Sequence, residues 1–206
     1  PIPPIALNCE NNRDERSRYL LVENRKVENY VDMALYYARM DAVYKDYMIA
    51  ESNLQEVAQQ VLLQNKYYLI QSHVKAEVAC PDTVYSDKKW IAFILNQLIQ
   101  NSVKYGRSEG THIQIVTKKT KRGVLLRVKD DGIGIPKEEI LRIFEKGFTG
   151  TNGRNRERST GMGLYLCRKL CDKLNIEIRA ESAEGKGTEI ILMFPVSDYL
   201  TGYRET

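Results

Sequence analysis

Four short stretches carry residue types whose spacing can do chemistry. The first is Asp130-Asp131-Gly132-Ile133-Gly134-Ile135-Pro136, directly after an alternating run that reads as a strand. A carboxylate at Asp130, at a strand's end, can accept a hydrogen bond from an exocyclic amino group such as that of adenine. Gly132 and Gly134 let the backbone turn sharply and lie close to a flat ring. A plain strand-to-helix turn is the competing reading.

The second stretch runs from Asn96 to Tyr105. Gln97, Asn101 and Lys104 stand at i, i+4 and i+7, so they share a helix face. An Asn carboxamide oxygen is a hard ligand suited to Mg²⁺, a Lys suits phosphate, and Tyr105 can pack against a base. The plainer alternative is a solvated polar stripe. Ile91, Ile94, Leu95, Leu98 and Ile99 give the same helix a core face, which leaves the amides concentrated on one stripe. In the third stretch, Ser159-Thr160-Gly161-Met162-Gly163-Leu164, a loop runs into a helix start through two glycines. Backbone N–H groups there bind phosphate. The loop before it, Thr149 to Arg158, carries Gly150, Gly153, Arg154, Arg156 and Arg158, as a cationic lid over a triphosphate would. No GxxxxGK[ST] phosphate loop occurs. The fourth is Phe144-Glu145-Lys146-Gly147-Phe148, two aromatics four apart that can hinge that lid or, for Phe144 equally, pack in the core.

These stretches need elements to hold them. Ser52 or Asn53 caps a helix through about Gln71. A strand follows near Val74–Ala79, a turn at Cys80-Pro81-Asp82 and a short strand near Thr83–Tyr85. Asp87 caps a long helix to about Tyr105. His112–Lys118 and Val124–Lys129 form a hairpin around Lys121-Arg122-Gly123. Pro136 opens a short helix to about Phe144, and another runs from about Met162 to Leu174. Strands Glu177–Glu181 and Thr188–Phe194 flank Gly185-Lys186-Gly187. With no βαβ series, the fold class is α+β, a two-layer sandwich with a mostly antiparallel sheet. Residues 1–50 read differently. They show only helical periodicity, with Val27, Ala34 and Met48 in one seven-residue register, broken by Asp41, and Tyr30, Tyr37 and Tyr44 in another. A helical hairpin that pairs into a bundle is preferred there to helices packed on their own domain. The domain boundary therefore falls at 50/51, with a hairpin over 1–50 and the sandwich over 51–206.

The 206 residues are ordinary in composition, with 43% hydrophobic and 28% charged side chains, which excludes a wholly disordered chain. A net charge of +4 is too weak and too dispersed for nucleic acid. No apolar run is long enough to span a membrane. The chain opens at Pro1 with neither Met nor leader, so it is read as a piece of a longer protein. Cys9, Cys80, Cys167 and Cys171 form no framework and are expected reduced. Cys167 and Cys171, four apart on one helix, are read as core thiols in preference to a two-thiolate metal site.

The order of the motifs is more specific than any one of them: amide helix, hairpin, DxGxG, Phe pair, glycine-arginine loop, GxG helix and GKGT turn. In that order residues 51–196 resemble the ATP-binding domain of bacterial sensor histidine kinases, the Bergerat or GHKL fold similar to the ATPase modules of gyrase, Hsp90 and MutL. The resemblance implies ATP and Mg²⁺ as cofactors. It makes Asn101 the Mg²⁺ ligand of the N box, with Lys104 and Tyr105 as its following nucleotide contacts and Gln97 on the catalytic face. It makes Asp130 the adenine-reading Asp of the G1 box with Gly132, Gly134 and Ile135. Phe144 and Phe148 match the F box. Thr160, Gly161, Met162, Gly163 and Leu164 cover the G2 box, and Thr188 ends a third glycine turn. The chain departs from the family pattern at three places. Gln97 stands where Asn is commoner, Tyr165 where Gly is commoner, and the lid is short and Arg-rich.

Residues 1–50 then resemble a dimerisation and phosphotransfer hairpin that has lost its start. Pro1-Ile2 looks like the end of the H box, so the phosphoacceptor His lies just upstream of Pro1 and its neighbouring Glu base with it. His73 and His112 are not the acceptor. The parent implied is a protein-histidine kinase that hands the γ-phosphoryl of ATP to that His and then to an Asp of a response regulator. The chain by itself is expected to bind ATP and form a homodimer without autophosphorylating. Asn29-Tyr30-Val31-Asp32-Met33-Ala34-Leu35-Tyr36-Tyr37-Ala38-Arg39 is particularly similar to bacitracin-sensing kinases, which work with ABC transporters in Gram-positive bacteria. This implies a cytoplasmic portion of a cell-membrane protein and a role in antibiotic resistance. Two rival readings stand beside it: a docking module without kinase activity, and a gyrase- or Hsp90-like ATPase, disfavoured because Asn96–Asn101 holds amides and no carboxylate.

Overall fold

The computed structural model describes residues 47–151 and 160–196, with residues 20, 23, 24, 27, 31 and 33–35 of the segment before them. The few described residues before 47 are helical, residues 47–49 are irregular and Ala50 already opens a strand, and the rest of the hairpin expected over 1–50 lies outside the described residues. So does most of the cationic loop, with Gly153, Arg154, Arg156 and Arg158.

Strand β1 (Ala50–Asn53) pairs antiparallel with β3 (Thr83–Ser86) as a small separate ladder. Helix α1 (Leu54–Gln64) starts at Asn53, whose side chain accepts from Glu56 N at 3.1 Å. It does not run on to Gln71 as the periodicity predicts. Asn65 is buried, and its Nδ2 donates to Val61 O and to Asn96 Oδ1, both at 2.8 Å. A side chain that takes a helix carbonyl and a cross-helix partner competes with the backbone ladder. The chain restarts as α2 (Lys66–Gln71). After β2 (Val74–Ala79) and β3, Asp87 caps α3 (Lys88–Lys104) by accepting from Lys89 N and Trp90 N.

The main sheet has the order β2-β4-β5-β7-β6, with β4 Thr111–Thr120, β5 Gly123–Asp130, β6 Glu177–Ser182 and β7 Thr188–Pro195. Only the β2–β4 pair is parallel, so the sheet is mostly antiparallel as expected. Ile113, Ile115, Leu126, Val128, Ile178, Ile190 and Leu192 on one face share a single core with α1, α3 and α4 (Gly163–Lys173). The other face carries no such layer among the described residues. The result is the two-layer sandwich.

One expected element is absent. Residues 136–145 are not a helix but a chain of three-residue turns: Glu139 N donates to Pro136 O at 3.0 Å, Arg142 N to Glu139 O at 2.8 Å and Glu145 N to Arg142 O at 2.8 Å. Bonds at i→i+3 stack side chains three apart; Ile143 joins the core and Phe144 packs on it, while Leu141 and Arg142 stay exposed.

Candidate functional site

Period-two alternation along β5 sends Leu126, Val128 and Asp130 to the same face. The first two are buried in the core. Asp130 is the last in phase and lies where the helix layer gives way to a pocket. Its Oδ1 accepts from Gly132 N at 3.0 Å and Thr188 N at 3.1 Å, and its Oδ2 accepts from Ser102 Oγ at 2.8 Å. Burial pushes this carboxyl above the ordinary aspartate range. The bonds from Ser102, Gly132 and Thr188 oppose that rise, and the charge of Asp131 adds to it. Both oxygens are thus fixed in direction before any ligand arrives.

The pocket is an open cleft of about 780 Å³, the solvent space at its mouth included. Leu98, Val128, Ile143 and Ile190 make its apolar floor. Asn101, Ser102, Asp130 and Thr188 supply polar groups on one side. Tyr105, Gly134, Ile135 and Pro136 form another wall, and Glu139, Phe148, Thr149, Gly150 and Leu164 close the rest. Asn101 is half-buried, and among the described residues its carboxamide has no hydrogen-bond partner. A half-buried, unpartnered carboxamide facing a polar wall suits a hard cation or a ligand donor.

Loop ends are laced together around this space. Ile133 N donates to Tyr105 O at 3.0 Å, and Gly185 N to Ile133 O at 2.7 Å. Arg107 spans both loops, with Nε on Asp131 O at 2.8 Å and Nη2 on Gly185 O. Ser182 Oγ accepts from Ile135 N at 2.9 Å and meets Thr188 Oγ1 at 3.0 Å. Gly134 sits at φ +71° with its Cα against Ala183 O, where no side chain fits.

Of the residues singled out from the sequence, Asn101, Tyr105, Asp130, Gly134, Ile135, Phe148, Leu164 and Thr188 come together on the pocket. Gly132 serves it from behind by donating to Asp130. Gln97 and Lys104 do not line it. Gln97 is buried, with Oε1 facing the Cα of Gly163 at the start of α4. Lys104 Nζ stands 5.9 Å from the centre of the Tyr105 ring. Phe144 packs on the core. Phe148 lines the pocket under the Arg142 guanidinium, 4.6 Å from its ring centre. Thr160, Gly161, Met162 and Gly163 form the turn into α4 outside the lining, with Thr160 Oγ1 accepting from Met162 N and Gly161 O accepting from Gly147 N. Ser102 and Glu139 were not anticipated. Ser102 follows Asn101, and a buried Asp's need for donors is the signal that points to it. Nothing local marks Glu139.

Cys167 and Cys171 are buried in the core and Cys80 donates to Ile115 O. Burial pushes the Cys171 thiol up to about 12, Cys80 to about 11 and Cys167 well above its ordinary value. They are core thiols. His73 is exposed at a left-handed φ of 54°, and His112 Nε2 lies 3.2 Å from Glu77 Oε1, away from the pocket. Among the described residues no helix is long and apolar enough to cross a membrane.

Residues 86–198 match the family described as Histidine kinase-, DNA gyrase B-, and HSP90-like ATPase. The sensor histidine kinase YxdK of Bacillus subtilis (strain 168) is 32% identical over 196 residues, covering 94% of this chain and 60% of that protein. The sensor protein kinase GraS of Staphylococcus aureus (strain JH1) is 35% identical over 199 residues, covering 94% of this chain and 56% of that protein. The chain thus spans somewhat more than half the length of these relatives. A solved catalytic domain of histidine kinase ThkA superposes with a TM-score of 0.62 at 26% identity, covering 72% of this chain and 97% of that one.

Proposed function

The chain belongs to the histidine kinase-, DNA gyrase B- and HSP90-like ATPase family, and from that premise we propose that the pocket at Asp130 is the ATP site of a sensor kinase's catalytic part. Membership of the family implies ATP binding. The residue assignments, the metal and the acceptor are our reading. The observation that carries it is Asp130: an ionisable group in an apolar pocket, its direction set by three donors, with acceptor capacity left on Oδ2. Adenine's exocyclic amine is the donor it suits. Leu98, Val128, Ile143 and Ile190 supply the flat apolar surface the ring needs, and Tyr105 and Ile135 stand beside it.

Asn101 fits Mg²⁺ through its unpartnered carboxamide oxygen, and the ion, when bound, neutralises charge on the phosphate oxygens. In the transfer, a neutral imidazole nitrogen attacks Pγ, the bond from Pγ to the bridging oxygen breaks, and ADP leaves with that electron pair. The pocket's own residues position the nucleotide and exclude water while this happens. In our reading the acceptor His belongs to a hairpin of which residues 1–50 are part, residues 51–206 form the catalytic domain, and the hairpin makes the homodimer. The solved complex of ThkA with the response regulator TrrA supports a response regulator as the second acceptor. A cell-membrane setting and an ABC-transporter partner complete the proposal, on the resemblance of residues 29–39 to bacitracin-sensing kinases.

Calorimetric titration of Mg-ATP into the 206-residue chain, beside Asp130→Asn, tests the site. The parent is expected to bind and the variant to lose at least about a hundredfold in affinity, because an unpaired donor or reversed acceptor at a buried hydrogen bond is costly. Equal binding by both removes Asp130 from the site. A second reading, a docking module without kinase activity, is favoured by one observation: Gln97 faces Gly163 and not the pocket. Adding a His-bearing hairpin and assaying for acid-labile phosphohistidine separates the two.

A further inference from the structure

We infer that Glu139 is a positioning residue that fastens residues 148–151 as the outer wall of the pocket. The inference rests on the reading of that pocket as the ATP site. Glu139 Oε1 accepts two hydrogen bonds from one residue, from Thr151 N at 2.9 Å and Thr151 Oγ1 at 2.6 Å. Its Oε2 lies against the Cα of Gly150, where a Cβ would come within 2.6 Å. Gly150 stands at φ +60°, so its missing side chain serves both the backbone and the carboxylate. Phe148, Thr149 and Gly150 all line the pocket, and so does Glu139. A single carboxylate therefore ties the segment that closes the pocket to the turns that follow the glycine loop.

The backbone of those turns sets the height of the carboxylate. Glu139 N donates to Pro136 O and Glu139 O accepts from Arg142 N. Arg142 reaches the same segment from outside, its guanidinium 4.6 Å from the centre of the Phe148 ring. Glu139 and Arg142 hold the wall from two sides, one through Thr151 and the other through Phe148. This also explains the three-residue turns: an α-helix over the stretch would rotate position 139 relative to 136 and 142. A carboxylate acceptor makes its hydrogen bonds stronger than a neutral one does, yet the amide of Gln keeps an oxygen of the same reach.

Hydrogen exchange at the Thr151 amide and calorimetry with Mg-ATP test this on the 206-residue chain. The set is the parent, Glu139→Ala, Glu139→Gln, Thr151→Val and the double variant that combines Glu139→Ala with Thr151→Val. Glu139→Ala is expected to speed Thr151 exchange about tenfold and to weaken Mg-ATP about tenfold, the scale of losing hydrogen bonds to a charged acceptor. Glu139→Gln is expected to stay within about threefold of the parent in both. Thr151→Val is expected to weaken binding about threefold in the parent and not at all when Glu139→Ala is already present, since coupled groups do not add. Unchanged exchange in Glu139→Ala overturns the fastening. Faster exchange with parental affinity overturns its service to the pocket. A parent that fails to bind Mg-ATP overturns the ATP reading instead, and the exchange comparison then decides the fastening. Should Glu139→Ala fail to fold, the same readouts on Thr151→Val decide it, with Glu139→Gln as the control expected to match the parent.

Discussion

The two faces of the β5–β7 ladder show what one alternating pattern does in two surroundings. On the helix side, Leu126, Val128, Ile190 and Leu192 join the core, and the series ends at Asp130 in the pocket. On the other side, Leu125, Arg127 and Lys129 lie opposite Met193, Ile191 and Glu189. There the partners are ions: Arg127 with Glu189 at 2.7 Å, Arg122 with Glu177 at 2.7 Å and Arg179 with Glu181 at 3.7 Å. Ile191 and Met193 are nonetheless buried on that face, outside the main core. Long charged side chains with apolar stems cover such surface while their heads stay wet. The lesson is that the β5–β7 ladder supplies a carboxylate at either face, and the layer packed on it decides what the carboxylate becomes. Glu189 is an ion-pair partner. Asp130, on the covered face, is a buried acceptor held by three donors.

Substitutions sharpen this contrast. Leu126→Ala, on the covered face, is expected to cost about 2–5 kcal/mol in a urea unfolding series, the range for a truncated core leucine. A cost below about 1 kcal/mol would mean that the helix layer is not tightly packed there.

Asp130→Asn should act in the opposite direction. Burial raises the Asp130 pKa in the folded chain, so the folded state holds that proton more firmly than the unfolded one. Its contribution is then best at acid pH and declines as pH rises through the ordinary aspartate value, about 4, towards the raised one. Above both values the ionised group carries a constant cost. Asn keeps an oxygen for Gly132 N and Thr188 N, and Ser102 Oγ can turn to accept. The variant is therefore expected to be at least as stable as the parent at pH 7, with the advantage fading below about pH 4. Unfolding midpoints at several pH values check this. A variant less stable at pH 7 only would show that the three donors outweigh burial.

On the open face the effects shrink. Glu189→Ala is expected to cost about 1 kcal/mol, since Arg127 is only half-buried and stays partly solvated. Arg122→Ala is expected to cost between zero and about 1 kcal/mol, a difference lost in roughly 1 M salt, because both partners of that pair are largely exposed. A larger loss at Arg122 than at Leu126 would break the contrast between the faces.

Much of this was legible in the residues. Asn53 and Asp87 cap the helices they were expected to cap, and β2, the β4–β5 hairpin, α4 and the last two strands fall within a residue or two of their expected ends. Alternation and capping are local physics, so they survive folding unchanged. The misreadings came where a side chain answered to a distant partner. Asn65 broke a periodic helix because Asn96 lies across from it. Residues 136–145 took three-residue turns, with Glu139 held to Thr151. Helical spacing put Gln97, Asn101 and Lys104 on one stripe, yet such a face is wide and the pocket takes only its middle.

The sequence by itself determined the order of elements, the alternation that aims Asp130 at the helix layer and the glycine turns that bring loops close. Each is set by residues within a few positions of one another, where sterics and short hydrogen bonds act. Only the tertiary structure decided which polar groups share a space. Ser102 reaches Asp130 across 28 residues, Thr188 N reaches it across 58, and Arg107 joins Asp131 to Gly185. Those bonds form only after the sheet and helices have packed, because burial makes an unpaired polar group costly and so selects the partners that satisfy it.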